Sequence, residues 1–191
     1  MLTTVHFSEE RIAWPRRWAL TSGIAGLVAN ALLALFYLLA RPFSDVQNSF
    51  GWLGTANDWV IPVQFLALIP VALSLRSWLP LSRLVRVSTA IAIAAMVAVA
   101  ALQLLLVAGV LDFDIQVLLV VAAFLLVYAW VFIVSSVGHR HGTLPRSVTR
   151  FGLLLGASFP VALLIMAAAI WSVGDSGTRW HSQYRESCSA R

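Results

Sequence analysis

The chain has 191 residues, of which 60% are hydrophobic and 11% charged, with a mean hydropathy of +0.87; a soluble domain of this size carries roughly 25% charged residues. That balance excludes a water-soluble globule and leaves one integral membrane domain, long enough for about five spans of ~20 residues each. The formal charge is +5 and every basic Lys/Arg position is arginine, which excludes lysine imine chemistry. The arginines flank apolar runs, so they speak for membrane topology and against a nucleic-acid partner.

Residues 1–17 form a polar leader ending in Trp14-Pro15-Arg16-Arg17. Pro15 suits the first turn of a helix, and Trp14 and Trp18 suit a membrane interface. Ala29-Asn30-Ala31 imitates a signal cleavage site, but the apolar run continues to Ala40, so an uncleaved first span over 18–40 is expected. The following loop carries Arg41, Asp45, Asn57 and Asp58. Arg41 and Asp45 are four residues apart and read as a solvated interface pair. Asn57-Asp58 ahead of Trp59 reads as a helix N-cap.

The second span is expected over 59–78, bracketed by tryptophans and containing Pro62 and Pro70. Each interior proline removes a backbone hydrogen bond, so the helix should bend or open there. The third span, over 87–111, has alanines at 90, 94 and 98, a spacing that lets helix backbones approach closely. Asp112-Phe113-Asp114 then links directly to a fourth span over 115–137, which makes spans three and four antiparallel neighbours. The two carboxylates read as turn and cap residues.

Residues 138–150, rich in Gly, Arg and His, separate the fourth span from a fifth over 151–173. His139 and His141 would chelate a metal only on an extended segment, and no further ligand stands nearby, so no metal site is expected. Gly152 and Gly156 form a close-packing face in the fifth span. They are expected to meet the Ser22, Gly26 and Asn30 stripe of the first span, or else a partner subunit or a second copy. The polar tail, 174–191, contains the single cysteine, Cys188, which has no internal disulfide partner.

Arginines alternate between connections. The leader, the second loop and the fourth loop are arginine-rich, whereas the first has only Arg41 and the third has none. By the positive-inside rule the N-terminus is cytoplasmic and the C-terminal tail is outside. The expected architecture is therefore an all-α, five-helix transmembrane bundle, multi-pass in the plasma membrane. The lysine-free Arg, Ala, Leu and Val vocabulary fits a GC-rich bacterial genome.

On this topology the intramembrane amides Asn30, Gln64, Gln103 and Gln116 lie in the outer half of the bilayer or near its midplane. They are read in two ways: as interhelical glue, or as the lining of an outward cavity roofed by Asp45, Asn57 and Asp58. Trp130, inside the fourth span, walls that cavity or fills the bundle. The chain shows no phosphate loop, HExxH, GxSxG or CxxC motif, and no histidine lies mid-span to hold haem, so no cofactor is expected. The leading expectation is a non-enzymatic membrane protein: a bundle that binds a small ligand or membrane lipid, or an accessory subunit of a larger complex. A small transporter or channel component comes second, and an enzyme acting on a lipid or isoprenoid through Asp45, Asp58, Asp112 or Asp114 comes third.

Overall fold

The computed structural model describes residues 9–40, 49–80, 82–158, 160, 161, 163 and 164. Among them there are helices and turns but no strands. Helix α1 spans Glu9–Leu35 and runs into a π-helical turn, Phe36–Ala40. Helices α2, α3 and α4 follow at Trp52–Trp78, Arg83–Val107 and Phe113–His141. Residues 146–158 form α5, with 160, 161, 163 and 164 also helical. Four stretches, Trp14–Ala40, Trp52–Trp78, Arg83–Val107 and Ile115–His141, are long and apolar enough to cross a membrane. Leu27, Leu118 and Leu154 are each more than 70% exposed. Water would not tolerate so much bare apolar surface, whereas acyl chains solvate it at no cost.

Helix boundaries differ from the expected ones where polar residues sit inside helices. Helix α1 starts at Glu9, so Pro15 lies within it rather than opening it. Helix α2 starts at Trp52, which puts Asn57 and Asp58 in its second turn and overturns their N-cap reading. A polar pair ahead of an apolar run resembles a cap, but here the pair faces neighbouring helices: Asn57 is buried and Asp58 accepts a hydrogen bond from α3. Helix α2 continues through Pro62 and Pro70. Pro70 cannot donate to the carbonyl of Leu66, and Pro62 cannot donate to that of Asp58.

Helix α3 is capped by Ser82, whose hydroxyl accepts from the Val85 amide at 3.2 Å. It closes on Gly109 at φ 68°, with Val110 N–H bonded to Leu105 O and Gly109 N–H to Leu106 O. Helix α4 ends the same way on Gly142 at φ 62°, with Gly142 N–H on His139 O and Thr143 N–H on Gly138 O. Both are six-to-one, five-to-two closures in which the left-handed residue must lack a Cβ. Asp112 occupies the N-cap position of α4 without a side-chain cap bond.

Close packing runs from each helix to the next in the chain: α1 on α2, α2 on α3, α3 on α4. The core lies where α2, α3 and α4 converge, around Met96, Val99, Ala92, Ala72, Val127 and Trp130. Helix α5 packs on α4. A Cβ on Gly156 would fall 2.9 Å from the Phe132 backbone nitrogen, and one on Gly152 would collide with the Ser135 hydroxyl. The expected meeting of these glycines with the first span is thus replaced by contact with α4, and the face they present is occupied within the chain. The small-residue stripe of α1 lies against α2 instead, where a Cβ on Gly26 would be 3.0 Å from Gln64 Nε2.

Candidate functional site

Polar side chains within the spans gather at two levels. The first lies near the end of the bundle where α2 begins, α3 ends and α4 begins. Gln103 donates from Nε2 to Asp58 Oδ1 at 2.9 Å, and Gln116 donates from Nε2 to Gln103 Oε1. Gln103 and Gln116 are 3% and 4% exposed, and the Asn57 side chain also bonds the Asp58 carboxyl. One hydrogen-bonded chain therefore stitches α2, α3 and α4 together, with its amides satisfied inside the protein.

The second level lies deeper. Asn30 and Leu33 from α1, Asn57, Ile61 and Gln64 from α2, and Phe124 and Tyr128 from α4 line a recess of about 120 Å³. Asn57, Ile61 and Gln64 recur at helical spacing on one face of α2, so the recess descends ~10 Å along that helix from Asn57 to Gln64. Gln64 and Tyr128 fall at the centres of the Trp52–Trp78 and Ile115–His141 spans. The early start of α2 thus moves Gln64 from the expected outer quarter to the middle of the apolar layer. The rings of Phe65 and Phe124 stack at 5.1 Å and 17°, closing the α2–α4 side. Helices α1 and α4 both contribute to the walls of the recess.

The polar side chains of the recess bond differently, and among the described residues no buried side-chain nitrogen or oxygen lacks a partner. Asn30 donates from Nδ2 to its own-helix carbonyl at Gly26, 2.8 Å away. Ser22 donates to the backbone carbonyl of Gln64 at 3.0 Å and so pins α1 to α2. Among the described residues, the Gln64 carboxamide itself makes no side-chain hydrogen bond. Gln64 is half-buried, so its carboxamide faces the recess rather than being sealed in the core. Among the described residues no arginine, histidine or carboxylate lines the recess. Its chemistry is that of neutral donors and acceptors: three carboxamides and a phenol.

Of the residues expected to form a cavity, Asn30, Asn57 and Gln64 are brought together in the recess. Asp58, Gln103 and Gln116 belong to the neighbouring closed chain. Trp130 is in neither: it is 2% exposed and donates from Nε1 to Thr89 Oγ1 at 3.1 Å, so it fills the α3–α4 seam. Asp45 and Arg41 lie outside the described residues, as do the leader before Glu9, the side chain of Asp114, the tail, and residues 165–173 of the expected fifth span. His139 and His141 are exposed in the last turn of α4, not on an extended loop. Two residues apart on a helix they point to different sides. Among the described residues no three His, Cys, Asp or Glu side chains converge as a metal site would need. Tyr128 was not singled out from sequence; a lone phenol at the centre of an apolar span was the available signal.

Compared with protein-family models, curated proteins and solved structures, the chain matches none.

Proposed function

We propose that this chain is a non-enzymatic, five-span protein of the plasma membrane, N-terminus cytoplasmic, that holds a small uncharged amphiphile in the recess between α1, α2 and α4. The observation that carries this reading is the Gln64 carboxamide, central in its span and without a side-chain partner among the described residues. A ligand carbonyl or hydroxyl would satisfy it, with Asn30, Asn57 and Tyr128 placed around the same space. Among the described residues the lining holds no cation, so it suits a neutral head group better than a phosphate. The stacked phenylalanines suit an apolar body that arrives from the lipid.

The test is extraction of the purified protein in mild detergent, followed by mass spectrometry of the released small molecules. Wild type should carry a stoichiometric neutral amphiphile, and Gln64→Leu and Asn57→Leu should each lower its occupancy at least about tenfold, as expected for loss of a buried polar contact. Unchanged occupancy in both variants would overturn the reading.

One observation favours a second reading, that of an accessory subunit. The outer surface of α3 and α4 carries a shallow groove of about 600 Å³ walled by small residues, among them Ala94, Ala98, Ala101 and Ala122. Such a surface lets a helix of another subunit approach closely. The transporter reading gains no such support: towards the opposite end, Ser74 bonds the Pro70 carbonyl, Ser88 bonds that of Val85, and Thr89 accepts from Trp130.

A further inference from the structure

The chain-neighbour packing brings one end of α1, α2, α3, α4 and α5 to the same level, and that end holds the arginines. Two grooves open there, both built alike. Between α3 and α4, Leu84, Phe132, Ile133 and Val137 wall a groove of about 210 Å³ whose polar groups are Ser136 and Arg140. Between α1 and α2, Pro15, Ala19, Leu75 and Trp78 help wall a groove of about 150 Å³ that ends at Arg16. Arg140 stands one residue from the end of α4, and Ile133 lies two turns deeper, ~10 Å along the helix. Leu84 and Phe132 are exposed, so this groove opens sideways rather than into the core. Neither Arg16 nor Arg140 is paired with a carboxylate among the described residues.

We propose that these two grooves bind anionic phospholipids, the phosphate resting on Arg16 or Arg140 and an acyl chain lying along the apolar wall beneath. A guanidinium at head-group level meets a phosphate through two parallel hydrogen bonds. The apolar channel directly below it fits the hydrocarbon covalently attached to that phosphate, and free phosphate would have no use for it. Ser136, one turn below Arg140, offers a hydroxyl at the depth of the glycerol esters. The contrast with the recess is one of charge: among the described residues its lining is neutral, while an arginine stands at the rim of each groove, its aliphatic stem along the wall.

The experiment is native mass spectrometry of the full chain in neutral detergent, titrated in parallel with phosphatidylglycerol and phosphatidylcholine of identical acyl chains. Wild type should retain phosphatidylglycerol about fivefold more per arginine-capped groove, the scale expected for one interfacial cation. Arg16→Gln/Arg140→Gln should erase the preference, Arg16→Lys/Arg140→Lys should keep most of it, and Ile133→Trp should lower retention of both lipids by filling the α3–α4 groove. Arg150→Gln, which lines neither groove, should leave the ratio unchanged. Equal retention of the two lipids by wild type, a preference that survives the double glutamine variant, or release of the bound lipid by millimolar inorganic phosphate would each overturn the proposal.

Discussion

The two polar levels of this bundle use the same residue types to opposite ends. Near the end of the bundle, Gln103 and Gln116 are spent on each other and on Asp58; deeper in, Gln64 is left with nothing to bond among the described residues. The closed chain joins helices that pack closely, α2 with α3 and α3 with α4, whereas the recess draws its walls from α1, α2 and α4. The same residue type thus closes one hydrogen-bonded chain between helices and, at Gln64, lines a recess.

Breaking the closed level should cost the most stability. Gln103→Leu leaves the Gln116 amide without its acceptor and the Asp58 carboxyl with only its Asn57 bond, and should lower unfolding free energy by about 1–3 kcal/mol, read by denaturant titration in micelles. Gly156→Val drives a side chain into the Phe132 backbone and should cost a similar ~1–3 kcal/mol by overpacking. Ser22→Ala removes one α1–α2 bond and should cost about 0.6 kcal/mol. At the open level, Gln64→Leu should leave the detergent-stripped protein within about 0.5 kcal/mol of wild type, because it removes a group that forms no side-chain bond there. Gly26→Ala sharpens the contrast further. The added methyl would press on the flexible tip of Gln64, so stability should hold within about 0.5 kcal/mol while ligand occupancy falls. If Gln64→Leu proves as damaging as Gln103→Leu, the two levels are one and the distinction collapses.

Much of this was readable in the residues. Hydropathy located the apolar runs, and the short Asp112-Phe113-Asp114 connection made α3 and α4 neighbours. Asn30, Gln64, Gln103 and Gln116 stood out because carboxamides are costly in hydrocarbon. What could not be read was which helix each one faces. Gly152 and Gly156 announce close packing, but nothing in their spacing names Ser135 and Phe132 as the residues they meet. Asn57-Asp58 looked like a cap because capping and interhelical bonding favour the same side chains; only the three-dimensional path of α2 past Gln103 separates the two uses. Tyr128 joins the recess because α4 passes α2 at the Phe65–Phe124 stack, a crossing that one-dimensional periodicity does not encode.

The step-by-step pairing of α1 with α2, α2 with α3 and α3 with α4 bears on how the chain is made. A growing polypeptide leaves the ribosome N-terminus first, and here each emerging segment finds its partner in the one just completed. Loop-closure entropy stays small when every docking joins adjacent segments. The Ser22 bond to α2 needs nothing beyond the first two helices, so adjacent hairpins can dock in chain order, while the recess needs α4 for its far wall.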